Sequence, residues 1–337
     1  MDDSPQPSPD RLVELVAHDP EQARVCLEQL GAAPTDDRTA ALQHLRRAVD
    51  DEAVTVGPLA PALAPFLEDD ERSVRLTAAK LFVSVARTNP GAVEPVVPAL
   101  CDRLADGDEF YYVRARSAEA LGYVALEHPD AVTTPEVVAE LRLGLAFDQP
   151  EVKQKLAKAL EHIAIGQPER LSHQVSNLVD HLDDEDELVR YHLCSALAAV
   201  GCKSPGSLEP AVGPLCERLT DETPQVRGRA AEALGVFFRG ADEATALPAG
   251  ATDALRADTD AETAFLAERA RFALDSSDEA ATSTVADGTG TVEGIRETTA
   301  EAVTALRTPT NGDECPHCGA TLPADSPPTC LRCGAPR

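Results

Sequence analysis

One stretch of the sequence occurs twice in nearly the same form, and it constrains the fold more than any other feature. The segment VRARSAEALG begins at Val113 and VRGRAAEALG begins at Val226, with eight of ten positions identical. The preceding stretches also match, VEPVVPALCDRLAD at 93–106 and LEPAVGPLCERLTD at 208–221. A unit repeated in this way predicts a stacked architecture, because one small unit cannot bury its apolar face alone.

Weaker copies of the same unit fill the rest of the central sequence. Their anchor residues lie 37 to 40 residues apart: Val74, Val113, Val152, Val189, Val226 and a degenerate Leu266. In each copy the anchor begins a segment with apolar residues at helical spacing, and a Leu/Val/Pro-rich segment precedes it. Pro95 and Pro210 fit a first helical turn, whereas Pro98 and Pro214 lie deeper and predict a bend. Each copy therefore predicts two helices.

The turn Asp, the Val-Arg pair and the A-x-A-L-G ending resemble HEAT repeats, in particular the short form related to phycobilisome lyases. These features are clearest in Asp221, Val226, Arg227 and the segment 231–235. The resemblance implies an all-α fold, an α-α superhelical HEAT-repeat solenoid of the armadillo-like class. It also implies that a second column of basic residues pairs with turn aspartates of adjacent repeats: Arg75, Arg114, Lys153, Arg190 and Arg227.

Composition divides the chain into four predicted parts. Residues 1–55 form N-terminal helices, a degenerate repeat or cap, and residues 56–276 form the solenoid. Residues 277–312 are small, polar and acidic, which predicts a flexible linker with a short amphipathic helix at 292–307. That helix either docks on the solenoid or a partner, or stays free. Residues 313–337 form a zinc ribbon.

Four cysteines form two C-x-x-C-G motifs near the C-terminus, Cys315 and Cys318, then Cys330 and Cys333. Two residues between thiolates let both reach one metal ion, and the following glycine lets the backbone turn back towards the sulfur. So short a segment cannot fold on apolar burial, and zinc binding can replace a core. The motif predicts one structural Zn²⁺ with closed coordination. The other five cysteines are scattered, as expected of small buried residues in a reducing cytoplasm.

The formal net charge is −28, and arginine far outnumbers lysine. This composition resembles that of proteins from halophilic archaea, in which molar salt screens the repulsion between carboxylates. It argues against broad binding of nucleic acid or anionic membranes. The N-terminus shows no signal-peptide pattern and no segment is apolar enough to span a membrane, so we expect a cytoplasmic protein.

Sequence motifs for catalysis are missing. Deoxyhypusine hydroxylase resembles this repeat and holds iron through His-Glu pairs at two positions of the Val-Arg helix, but none of the five copies has that pair. The chain also lacks a phosphate-binding glycine loop and a nucleophile elbow. We therefore expect no enzymatic activity.

Two features are candidate partner-binding surfaces. The first is a basic column three residues after each anchor, Arg116, Lys155, His192 and Arg229, which is either a groove for an acidic segment or a set of local ion pairs. The second is Phe110, Tyr111 and Tyr112, in a turn two residues longer than its counterpart at 221–226. These rings either anchor a partner or fill a packing gap.

These observations favour a non-enzymatic adaptor that binds protein partners through the solenoid, with the ribbon as a second contact. One alternative is a signalling or regulatory adaptor, in taxis or transcription, in which the ribbon selects the partner. Another is a lyase-like protein or enzyme subunit acting on a bound cofactor. The sequence leaves the partner's identity and the oligomeric state open.

Overall fold

The computed structural model describes residues 9–240, 247–275 and 288–307 of the 337-residue chain. Every regular element in these ranges is helical, so the predicted all-α repeat fold is confirmed. Contacts divide the chain into two units, Met1–Arg170 and Leu171–Arg337. None of the described helices combines the length and apolar character that a membrane span needs.

The first unit begins with three helices and continues with helix pairs. The N-terminal helices are α1 (Pro9–His18), α2 (Pro20–Leu30) and α3 (Thr35–Asp50). The first helices of the pairs are short and interrupted: α4 (Ala60–Leu63), α6 (Pro90–Val93), α7 (Val97–Ala105), α9 (Pro129–Val132) and α10 (Pro135–Leu143). The second helices are longer: α5 (Arg72–Thr88), α8 (Tyr111–Ala125) and α11 (Pro150–Gly166). Short 3₁₀ turns cover Gly57–Leu59, Ala64–Leu67, Glu94–Val96 and Gly144–Ala146.

The second unit repeats this plan and adds one helix. Its first helices are α12 (Val175–Val179), α14 (Val212–Arg218) and α16 (Ala249–Asp258), and its second helices are α13 (Glu187–Lys203), α15 (Pro224–Gly240) and α17 (Ala264–Asp275). The segments Pro168–Gln174 and Pro205–Ala211 are 3₁₀ turns. The last described helix is α18 (Val292–Arg307), at the segment for which a short helix was predicted.

The second helices carry the core. All the anchor valines are fully buried, and Leu266 is only 1% exposed. The first helices are broken because proline lacks an N–H to donate and cannot continue the helical hydrogen-bond pattern. Pro95 lies in a 3₁₀ turn, and Pro98 lies in the first turn of α7. Pro210 lies inside the 3₁₀ segment before α14.

Glycine lets neighbouring second helices approach closely. A Cβ added at Gly122 in α8 would lie 2.8 Å from the Cα of Ala159 in α11. At the matching Gly235 in α15, it would lie 2.6 Å from the ring of Phe272 in α17. The A-x-A-L-G ending of the repeat therefore sets the distance between successive second helices.

Arginine–carboxylate pairs link successive repeats. Arg190 donates two hydrogen bonds to Asp221, at 2.8 and 3.0 Å, and a third donor binds the carbonyl oxygens of its own turn. Arg227 contacts Asp258 in the same way, at 2.9 and 3.3 Å. A bidentate arginine–carboxylate pair fixes distance and orientation together, so each pair sets the position of the next repeat.

In the first unit the acceptors differ from the turn aspartates that the family resemblance implied. Arg75 binds Glu109 at 2.7 and 2.9 Å, and Arg114 binds Glu140 at 3.1 Å. The turn after α7 is two residues longer than its counterpart, and this moves the buried carboxylate from Asp106 to Glu109. Glu109 also accepts from Arg103 at 3.3 Å and from the backbone amide of Phe110 at 2.7 Å.

Candidate functional site

A fully buried ion cluster lies on the second helices of the second unit. Glu232 in α15 pairs with Arg229 one turn earlier at 2.6 Å and with Arg269 in α17 at 2.8 Å. The side chains of Arg229 and Glu232 are 0% exposed and that of Arg269 is 2% exposed. Arg229 also donates to the Tyr191 hydroxyl from two of its nitrogens, each at 3.2 Å.

Helix α18 binds this cluster through its backbone and its hydroxyl groups. Arg229 Nη2 lies 3.0 Å from the carbonyl oxygen of Ile295, 2.9 Å from Thr298 Oγ1 and 3.1 Å from Thr299 Oγ1. Arg269 Nη2 lies 3.1 Å from Thr298 Oγ1. The solenoid thus meets this helix with charged donors, while the helix supplies neutral acceptors.

A glycine turn completes the contact. The backbone N–H of Gly290 donates to Glu232 Oε1 at 2.9 Å, and the Cys202 thiol lies 3.3 Å from the Gly290 carbonyl oxygen. Gly290 has a φ of +78°, and a Cβ there would collide with the Phe272 ring. Thr291 then caps α18, because its hydroxyl accepts from the N–H of Gly294 at 3.0 Å.

The cluster remains charged although it is buried. Burial by itself raises the pKa of Glu232, but Arg229 and Arg269 outweigh it, and the pKa lies below its ordinary value. Burial also lowers the pKa of Arg269 from its ordinary value, against the attraction of Glu232. An arginine remains protonated after such a shift, so the cluster carries two positive charges and one negative charge.

The first unit has a second cluster at the same repeat positions. Glu119 in α8 accepts from Arg116 at 2.8 Å, and from Lys155 and Lys158 in α11 at 3.0 and 3.3 Å. Lys158 also lies 2.6 Å from the Tyr123 hydroxyl. Glu119 is 5% exposed, but Arg116 is 27% exposed and each lysine 15%. This cluster is therefore partly open to solvent.

Charge also dominates the state of Glu119. Burial alone raises the pKa of its carboxyl, yet Lys155, Lys158 and Arg116 together hold it well below the ordinary value. Three positively charged side chains surround this one carboxylate, in a chain whose formal net charge is −28. Such a patch favours an anionic partner.

The structure places the predicted basic column in two settings. Arg116 and Lys155 meet at Glu119, and Arg229 meets Glu232, as the local-pairing alternative had it. His192 is fully buried, with its ring 5.6 Å from that of Tyr191. The protein itself covers the side chains of His192 and Arg229, so neither lines an exposed groove here.

The aromatic turn forms a compact cluster. The Phe110 ring lies 4.6 Å from Tyr111 and 5.3 Å from Tyr112, and all three side chains are half-buried. The guanidinium of Arg72 lies 4.5 Å from the Phe110 ring centroid, and Tyr111 reaches within 6.5 Å of the Phe147 ring. The rings both pack against one another and keep exposed area.

The predicted zinc ligands, Cys315, Cys318, Cys330 and Cys333, lie outside the described residues. Within the described ranges, no group of His, Cys, Asp and Glu side chains could hold a metal ion. The five cysteines in those ranges form no disulfide. Burial raises the thiol pKa of Cys101 to about 11 and of Cys194 and Cys202 to about 12, which makes them poor nucleophiles.

Comparison with protein families gives one match. The model described as sister chromatid cohesion protein PDS5 matches residues 68–256, more than half of the chain. The chain belongs to the PDS5 family. No curated protein shows significant sequence similarity to it.

Solved structures share the solenoid fold with this PDS5-family chain. An engineered protein from the Northeast Structural Genomics Consortium is 22% identical, with a TM-score of 0.58 over 64% of this chain and 95% of that chain. A designed armadillo repeat protein is 20% identical, with a TM-score of 0.58 over 65% of this chain and 99% of its own. Computationally designed armadillo repeat proteins for modular peptide recognition give 20% identity and a TM-score of 0.56. At this identity the likeness establishes the fold alone, an armadillo-like helical repeat.

Proposed function

We propose that this protein is a non-enzymatic scaffold that binds segments of other proteins on the face formed by its second helices. One observation carries the proposal: in the second unit that face already holds a helix, through Arg229, Arg269 and Glu232. Charged side chains that project from rigid helices give such a face both orientation and selectivity.

The comparisons support this proposal at the level of the fold. The fold is shared with armadillo repeat proteins that were designed for modular peptide recognition. Sister chromatid cohesion, the process named in the family's description, is a candidate setting for the partner. Fold alone does not fix function, so the proposal rests on the two ion clusters and the helix bound to one of them.

We place the contact with an external partner at the partly open cluster of the first unit. Arg116, Lys155 and Lys158 bring three partly exposed positive charges to it, which fits an acidic protein segment. The exposed parts of the Tyr111 and Tyr112 rings supply aromatic area of the kind that anchors interfaces.

The C-terminal cysteines belong to the same proposal. We assign Cys315, Cys318, Cys330 and Cys333 one structural Zn²⁺ on the strength of their spacing. The ribbon then gives the scaffold a second contact or a folded end. The short, phycobilisome-lyase form of the repeat, a halophilic archaeal source and a cytoplasmic location remain predictions from the sequence.

Capture from cell extract held in molar salt tests the partner surface. The bait is the full chain, and its variant carries Arg116→Gln and Lys155→Gln. The matched control carries Arg24→Gln and Arg170→Gln, which remove two positive charges at exposed positions of the same unit. We expect one retained protein, lost at least ten-fold with the first pair and kept with the control. Equal retention by both variants would reject the proposed contact.

A second comparison separates the ribbon from the solenoid. Bait ending near Thr310 lacks the four cysteines, and we expect it to retain the same partner with only modest loss. Loss of the partner with this bait alone would make the ribbon the selecting element. Metal analysis of the full chain should give one zinc per chain, and the Cys315→Ser and Cys330→Ser double variant should give none.

A further inference from the structure

Helix α18 is not part of a repeat. Each second helix in the described solenoid follows a first helix and continues the stack, whereas α18 comes after the last pair and lies on the faces of other helices. The same arrangement of charges forms in the first unit without a helix like α18, from Arg116, Glu119 and Lys155. The cluster is thus a property of the solenoid, and α18 is its occupant.

The contact resembles recognition of a ligand more than packing of a core. Five hydrogen bonds join Arg229, Arg269 and Glu232 to α18 and its preceding turn, two of which are accepted by the Thr298 hydroxyl. In contrast, Ile295 is the one large apolar side chain of α18 that is fully buried. Burial of one isoleucine is a small apolar contribution, which a competing segment with a similar side chain can offset.

The outer side of α18 fits a displaceable segment. Glu293, Glu297 and Glu301 are exposed, and so is Ala300. A helix of 16 residues is marginal by itself in water, so its order depends on being docked.

We propose that α18 is a tethered ligand that closes the binding face of the second unit until a partner helix of the same chemistry displaces it. That partner presents a glycine turn whose N–H reaches Glu232, an isoleucine-sized anchor, and adjacent hydroxyl residues for Arg229 and Arg269. This proposal rests on the proposed function and deepens it, since it defines the partner segment for one of the two clusters.

The tether sets the strength of the competition. A segment that belongs to the same chain as its site has an effective concentration on the order of 1 mM there. A free peptide with the sequence of α18 must compete with the attached helix. Its affinity for the wild-type chain is therefore lower than for an open site, by the ratio of the effective concentration of α18 to the Kd of the peptide for the open site. For a Kd on the order of 10 µM, the loss is about 100-fold.

The test uses two full-length variants that release α18 and one that does not. Gly290→Val places a side chain against Phe272 in a backbone conformation that valine rarely adopts. Ile295→Asp removes the buried anchor and introduces a charge in its place. Ala300→Asp adds the same charge to the exposed side of the helix and is the matched control.

Cysteine alkylation reports whether α18 is docked. Cys202 contacts the Gly290 carbonyl, whereas Cys194, in the same helix, is fully buried. We expect Cys202 to react at least ten-fold faster in Gly290→Val and Ile295→Asp than in wild type or Ala300→Asp. Cys194 should stay protected in all four proteins, which shows that the solenoid is intact.

Binding of a labelled peptide of residues 288–307 then decides the proposal. We expect the peptide to bind the two released variants, to restore protection of Cys202, and to bind wild type at least ten-fold more weakly. Rapid alkylation of Cys202 with no peptide binding would overturn the proposal, because α18 would then be a structural cap. Unchanged Cys202 reactivity in both variants would overturn it as well. Neither result affects capture of a partner at the first unit, so the proposed function is tested separately.

Discussion

The two ion clusters use the same repeat positions and differ in what covers them. Around Glu119, two lysines and an arginine keep exposed area, whereas around Glu232 two arginines are buried beneath α18. Arginine can donate in several directions at once, so Arg229 satisfies Glu232, Tyr191 and α18 together. A lysine in the open cluster has a more compact, more strongly hydrated charge. The comparison shows that one repeat motif can serve as an open surface in one place and as an occupied site in another.

Removal of the central carboxylate should separate the clusters most strongly. Glu232→Gln leaves two buried guanidinium groups without their counter-charge, and we expect a loss of about 3–5 kcal/mol in the free energy of unfolding of the second unit. Glu119→Gln should cost less, because its partners can turn towards water. Urea unfolding of the two variants in the same molar salt measures the difference. Equal losses would mean that burial does not distinguish the clusters.

Replacement of arginine by lysine tests the role of geometry at constant charge. Arg229→Lys removes the forked donors that reach Tyr191 and α18, and we expect a loss of about 2 kcal/mol together with faster alkylation of Cys202. Arg116→Lys should change stability by less than about 0.5 kcal/mol, since Arg116 is partly exposed, the charge is kept, and Lys155 and Lys158 still pair with Glu119. A loss at Arg116 as large as that at Arg229 would contradict the assignment of an open and a closed cluster.

Acid should weaken both clusters. Each glutamate has a folded-state pKa below its unfolded value of about 4.3, so its stabilisation is complete well above that pH and is lost as pH falls through the folded pKa. Melting temperatures of wild type and each Glu→Gln variant, measured from pH 7 to pH 3, give the pH range over which the stabilisation by each glutamate is lost. A gap between wild type and Glu232→Gln that widens in acid would contradict the sign.

Local pattern predicted much of the fold. The repeat spacing placed all the second helices, because each anchor recurs at the start of an apolar helical face. The identical Arg and Glu of the two strongest copies, Arg116 with Glu119 and Arg229 with Glu232, were visible in the sequence, but the glutamates were not recognised as the centres of clusters. Arg269 lies three residues after the degenerate anchor Leu266, at the repeat position that Arg116 and Arg229 hold in their copies. This shared position was the signal in the sequence for its place in the cluster.

Other features depend on tertiary structure and had no local signal. The docking of α18 follows from the turn at Gly290, which packs against the ring of Phe272 in α17. The choice of Glu109 as the partner of Arg75 follows from the longer turn, whose path a sequence pattern does not define. Whether each basic residue of the column is exposed or covered depends on these tertiary contacts. The sequence therefore left two alternatives, a groove for an acidic segment and a set of local ion pairs.

Hydrogen exchange of the amides from Gly290 to Arg307 in the full chain tests the central claim most directly. A helix of this length exchanges rapidly when it is free, so slow exchange indicates that α18 is docked on the solenoid. We predict slow exchange in wild type and in Glu119→Gln, and rapid exchange in Glu232→Gln. Rapid exchange in wild type would contradict the claim that the second unit holds its own ligand.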